Sequence, residues 1–189
     1  LQIADCRLQI AFNIQHSAFS IQRSPMPTLM PDPDRAIEAL MDDLDAARAE
    51  SYPLLLSVRR LGGPPGEPAD VLDALAIDAG YTGLGGGWVE VPRRIATKIL
   101  THLIASELAY PNEIVEQSAA EELAGRFLGL FPPGTRYFTN GACSGPFAIY
   151  DTAGGEVLGW RSISAAPFDN GVIGLSAERV GMIWAEDAP

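Results

Sequence analysis

The run Val172-Ile173-Gly174-Leu175-Ser176-Ala177-Glu178-Arg179-Val180-Gly181-Met182-Ile183-Trp184-Ala185 decides the fold. Two apolar stretches flank the short segment Ser176-Ala177-Glu178, which is the pattern of a β-hairpin. Side chains alternate along a strand, so Val180, Met182 and Trp184 take one face and Gly181, Ile183 and Ala185 the other. Neither face is polar, and a strand that can be buried on both sides belongs near the centre of a sheet.

Other strand signals lie upstream of it. Arg136 to Thr139 reads as a strand, and Asn140-Gly141 after it is a turn signal. Phe147 to Tyr150 and Glu156 to Trp160 flank Asp151–Gly155, which suits a further hairpin. Leu54 to Val58 is a short apolar run bounded by breakers, and Trp88 to Val91 is a short strand.

Four helical patterns precede or interleave with these strands. Asp34 to Glu50 carries Ile37, Leu40, Met41 and Leu44 at the spacing of one apolar stripe, and Tyr52-Pro53 ends it. Ala69 to Ala79 is a helix stopped by Gly80. Pro92 opens a helix with Ile95, Ile99, Leu100, Leu103 and Ile104 on its core face, and Pro111 closes that pattern. Ser118 and Glu121 have capping-box spacing before Leu123, Phe127, Leu128 and Leu130, and Pro132-Pro133 stops the run. Helices segregated ahead of antiparallel strands imply an α+β fold. The expected architecture is an antiparallel sheet ending in hairpins, with three to four helices packed mainly on one side.

Residues 1–30 read differently from 31–189, which make a single domain. Four of the five glutamines in the chain, Gln2, Gln9, Gln15 and Gln22, fall there. Leu1-Gln2-Ile3-Ala4 recurs as Leu8-Gln9-Ile10-Ala11, and Phe12-Asn13-Ile14-Gln15 as Phe19-Ser20-Ile21-Gln22. The two repeats are out of phase and too short for a coiled coil. The segment reads as an unpacked extension, or as translated repeat upstream of a start at Met26 or Met30. An amphipathic arm that binds something is the competing reading. Pro27, Pro31 and Pro33, with Pro25 just before them, make the stretch from Met26 to Pro33 an extended linker.

Composition narrows the function classes. The formal net charge is −11, the basic residues are scattered, and Arg outnumbers Lys twelve to one. Phosphate backbones are bound by clusters of Lys and Arg, so nucleic acid and anionic membrane surfaces are not expected partners. With only Cys6 and Cys143, a disulfide framework is not expected, and a reducing cytoplasmic compartment is.

Few chemistries find their residues here. No Cys or His pair has zinc spacing, so no metal is expected. Gly83-Leu84-Gly85 is followed by Trp88 where a dinucleotide loop needs glycine, and no Gly-Lys-Ser/Thr exists for a phosphate loop, so no cofactor is expected. Gly141-Ala142-Cys143-Ser144-Gly145 is the most site-like string. Glycines on both sides can expose Cys143 or Ser144 as a nucleophile, with His102 as the base, beside Lys98 on its helix. The alternative is a small buried cysteine in a loop. Glu107, on the apolar side of its helix, is either a tuned acid or, as expected here, exposed at the helix end. Glu38, Asp42 and Asp45 stand at i, i+4 and i+7, a one-sign ridge that is either a solvated face or a contact surface for a basic protein.

The preferred expectation is a non-catalytic binding module facing a basic protein partner, loosely like the immunity proteins that neutralise toxins. A hydrolase or transferase using the Gly141–Gly145 loop is the alternative, and an oligomeric scaffold subunit is a third class.

Overall fold

The computed structural model describes residues 27–48, 54–110, 112–143 and 145–188. The repeat in residues 1–25, the breaker Tyr52-Pro53, and Pro111 and Ser144 lie outside them.

The described elements are β1 (Leu29–Pro31), α1 (Arg35–Arg48), β2 (Leu54–Leu61), α2 (Pro68–Asp78), β3 (Val89–Val91), α3 (Arg93–Ala105), α4 (Gln117–Gly129), β4 (Arg136–Thr139), β5 (Phe168–Leu175) and β6 (Arg179–Asp187). The strands form one antiparallel sheet in the order β1-β2-β6-β5-β4-β3. The hairpin read from residues 172–185 is β5–β6, and β6 lies between β2 and β5 as the two apolar faces require. No helix of the described residues is long and apolar enough to cross a membrane.

The two faces of β6 belong to two cores. Ile183 and Ala185 pack with Val172, Tyr137 and Leu54 beneath α1, α3 and α4, where Leu40, Ile99, Leu103 and Phe127 are buried. Val180, Met182 and Trp184 face the opposite side, under Val71, Leu72 and Leu75 of α2. Three of the four helices thus share one face and α2 alone covers the other. Burying each Val or Leu of α2 contributes about 1.5–3 kcal/mol.

Ion pairs and caps fix the connections. Asp34 starts α1, its carboxylate accepting the Ala36 N–H at 3.0 Å. Arg179 of β6 donates to Asp32 and Asp34 at 2.7 and 3.0 Å and to the Leu130 carbonyl, so it ties the β1–α1 link and the end of α4 to the sheet. Arg48, buried at the end of α1, donates to the carbonyls of Leu103, Ile104 and Ser106. It brings a cation to the C-terminus of α3, where free carbonyls and the helix dipole favour one.

Several expectations need correction. Residues 29–31, read as part of a linker, are extended but paired, with Leu29 opposite Leu61. Met41 is 44% exposed and is no part of the core stripe, which runs through Leu40 and Leu44. Glu116, not Ser118, caps α4, accepting from the Ala119 N–H and the Ser118 hydroxyl. Glu121 instead accepts from the Gln117 amide at 3.1 Å. The segment 147–160 turns at Asp151–Gly155, where the Gly155 N–H meets the Asp151 carboxylate at 2.8 Å, but it forms no ladder. Only the single bridges Tyr150–Glu156 and Gly141–Trp160 remain. Ile149 is buried while Leu158 is 84% exposed, so the segment lacks the apolar face that would hold two strands on the sheet.

Glu107 is the other correction. Helix α3 ends at Ala105, short of Pro111, and the chain folds back through a Ser106–Glu113 bridge. Glu107 is thereby only 7% exposed, and its carboxylate accepts from the Asn112 amide at 3.2 Å. The neighbouring Leu108 and Ala109 N–H groups are held by Asp187 at the end of β6, each at 3.0 Å.

Candidate functional site

The sequence singled out two regions, and the fold keeps them on different elements. The first is the outer face of α1. Leu40 and Leu44 bury one side of this helix against β2 and α4, so the residues opposite them face water. Glu38, Asp42 and Asp45 are all exposed. Among the described residues none of the three is in an ion pair, whereas their neighbour Asp43 is held by Arg126 of α4 at 2.6 Å. Met41 stands at i+3 from Glu38 and i−4 from Asp45, so its exposed side chain borders the acidic stripe on the side nearer the apolar arc.

The second region is the Gly141–Gly145 loop. It leaves β4 through Asn140, which is 2% exposed. The Asn140 amide donates to the Arg161 and Asp169 carbonyls at 3.0 and 3.1 Å and to the Asp169 carboxylate at 2.9 Å. Asn170 donates in turn to the Asn140 side-chain oxygen and to the Gly141 carbonyl at 2.9 and 2.8 Å. Asn140-Gly141 is therefore no free hairpin turn. It is a strand exit locked onto the start of β5.

Asp169 is the hub of this lock. It is fully buried, and its second carboxylate oxygen accepts from the Ser162 hydroxyl and from the N–H groups of Ile163 and Ser164, all at 2.8 Å. Nothing in the sequence marked it. A lone aspartate at the start of an apolar strand carries no pattern, and its donors come from residues 140 and 162–164.

Cys143 sits half-buried above this hub. Burial pushes its thiol up to about 11, the Asp169 charge adds to the shift, and a hydrogen bond from the Asp169 backbone opposes it. At neutral pH the sulfur is a thiol and not a nucleophilic thiolate.

His102 lies on α3. The loop does approach it: a Cβ added at Gly145, where φ is +123°, would stand 3.3 Å from the ring carbon Cδ2. Phe147 meets the imidazole edge-on with centroids 6.0 Å apart. Among the described residues, however, no hydrogen bond joins the Cys143 thiol to that ring. Burial alone lowers the His102 pKa, so the ring is neutral at pH 7.

What His102 does border is a cleft of about 440 Å³ between α3, α4 and the loop, whose walls include Thr97, Lys98, Thr101, Glu121 and Phe147. Cys143 is not one of its lining residues. The described residues contain no group of three or more His, Cys, Asp or Glu side chains placed to hold a metal ion.

The glycine stretch 83–87 has its own structural role. Asp73 of α2 accepts from the N–H groups of Leu84 and Gly85 at 2.8 and 3.1 Å and from the Trp88 indole at 2.7 Å. A Cβ at Gly83 would fall 2.4 Å from the Asp73 carboxyl carbon, so the glycine there allows close approach to a side chain of the protein itself. Comparison with protein-family models, with curated protein sequences and with solved structures finds no match to this chain.

Proposed function

We propose that the chain is a non-catalytic protein-binding module that presents the Glu38–Met41–Asp42–Asp45 stripe of α1 to a basic partner, in the manner of an inhibitor or immunity protein. The observation that carries this reading is the exposed and unpaired state of the three carboxylates, among the described residues, on a helix whose other face is buried. A solvated surface commonly mixes both signs of charge. Here one sign runs along two turns with an exposed Met41 along its edge. An exposed apolar group beside charges suits an interface, where an apolar anchor supplies affinity and the neighbouring charges select the partner.

The thiol chemistry supports the same side of the choice. Cys143 is protonated at neutral pH and lies outside the His102 cleft, and among the described residues it makes no hydrogen bond to the imidazole that would have to serve as its base.

The test is affinity capture from the native host with the full chain and with its Glu38→Gln/Asp42→Asn/Asp45→Asn variant. A basic protein retained by the first and lost by the second is the expected result. Identical sets of captured proteins would sink the assignment to α1.

A further inference from the structure

We propose that the cleft between α3 and α4 binds a small molecule with an apolar ring system and one carboxylate, its charge held by Lys98 and its ring by Phe147. The cleft of about 440 Å³ is of the size that holds such ligands, roughly 300–1,000 Å³. Lys98 is the only lysine of the chain. It is exposed, and among the described residues it makes no ion pair. Its ammonium lies 6.0 Å from the centroid of the Phe147 ring, so one cation and one aromatic face converge on the same space.

Thr101 also lines the cleft and is only 6% exposed, its unpaired hydroxyl sealed from solvent. His102, neutral for the reason given above, offers one donor and one acceptor without adding a second charge to the wall. Glu121 on the α4 side, engaged by Gln117, would repel a carboxylate and so sets its polarity, with the acid end toward α3. This site shares no residue with the α1 stripe, so either can fail without the other.

The experiment titrates the full chain with 1-naphthoate, 1-naphthylmethanol and 1-naphthylmethylamine while following the His102 ring proton by NMR, with His102→Gln identifying the signal. Naphthoate should shift it saturably, with the alcohol and the amine binding about tenfold more weakly, the ratio one charge-assisted hydrogen bond supplies. Lys98→Gln, at an exposed position, should lose that tenfold for naphthoate and leave the alcohol unchanged. A signal that does not saturate with naphthoate, equal binding of the amine, or full naphthoate affinity in Lys98→Gln would each overturn the proposal.

Discussion

Gly171 of β5 and Trp184 of β6 are register partners, and the indole occupies the space where a side chain at 171 would stand. A Cβ on Gly171 would fall 2.1 Å from Trp184 Cε3 and 2.4 Å from the Ile183 carbonyl oxygen. Both obstacles belong to the sheet centre, where neighbours on either side prevent relief. Gly171→Ala should therefore cost about 3 kcal/mol or more, at or beyond the upper end for overpacked cores. Urea unfolding measures it, and a loss under about 1 kcal/mol would mean that the indole can move aside.

Trp184 is itself 1% exposed, edge-on to Trp88 at 6.1 Å, with an indole N–H that has no partner. Trp184→Ala should cost about 3–5 kcal/mol through lost transfer energy and a cavity. Trp184→Phe removes the unpaired donor and part of the volume, so it should be milder. Combined with Gly171→Ala it should cost less than the sum of the two, because the smaller ring leaves room for the methyl group. Strict additivity in denaturant melts would count against this packing.

The same pair marks what the sequence made legible. The central hairpin was readable because alternation on both faces of β6 is a local pattern, and helix periodicity placed α1 to α4, although α3 stops at Ala105, well before Pro111. The exposure of Glu38, Asp42 and Asp45 followed from the stripe opposite them. Elsewhere the decisive partners are remote. Glu107 is buried because the chain doubles back to Asn112, and Asp169 is satisfied by donors from two other loops. Met41 was misassigned because it lies at the margin of its helix's apolar arc, where the placing of the neighbouring elements decides burial. The cleft around Thr101 arises between two helices and a loop, and no single segment encodes it.

Asp169 offers a test of the lock beneath the loop. Asp169→Ala strands the buried Ile163 N–H, leaves the Ser164 N–H with only the Ser162 hydroxyl, and removes a charged acceptor from Asn140. A buried donor left without a partner costs about 1–3 kcal/mol and a lost hydrogen bond to a charged group about 1.5–3, so a loss of about 3 kcal/mol is expected in chemical denaturation. A variant as stable as the parent would show that the 140s and 160s loops are held by other contacts.

Cys143 should react as an ordinary buried thiol. In a Cys6→Ser background, iodoacetamide labelling at pH 7 should be slow and should quicken about tenfold per pH unit on the way to pH 11, since only the thiolate attacks. Fast labelling that is flat from pH 6 to 8 would indicate an activated cysteine and would restore the hydrolase or transferase reading.

His102 predicts a pH effect with a definite sign. Burial depresses its folded-state pKa below the ordinary 6.5, so the unfolded chain takes up a proton first as pH falls. The contribution is fully present above pH 6.5 and is lost as pH drops through the folded value. Lys98 on the same helix and Glu121 on α4 line the same cleft, but burial is the cause of the shift. His102→Gln should flatten the stability profile just below pH 6.5, as followed by thermal melts across that range. An unchanged slope would assign the acid limb to carboxylates instead.

The acidic stripe predicts kinetics. Exposed charges act mainly on association, and physiological salt screens them over about 8 Å. With the captured partner in hand, Glu38→Gln/Asp42→Asn/Asp45→Asn should slow association at low ionic strength and make its salt dependence shallower. Folding should change by about 0.5 kcal/mol or less, because all three side chains are exposed and unpaired among the described residues. Met41→Ala should leave the association rate alone and speed dissociation, since an apolar anchor contributes after docking. Stopped-flow measurements between low and physiological salt separate the two effects. If the triple variant associates as fast as the parent at low salt, the stripe is a solvated face and the partner docks elsewhere.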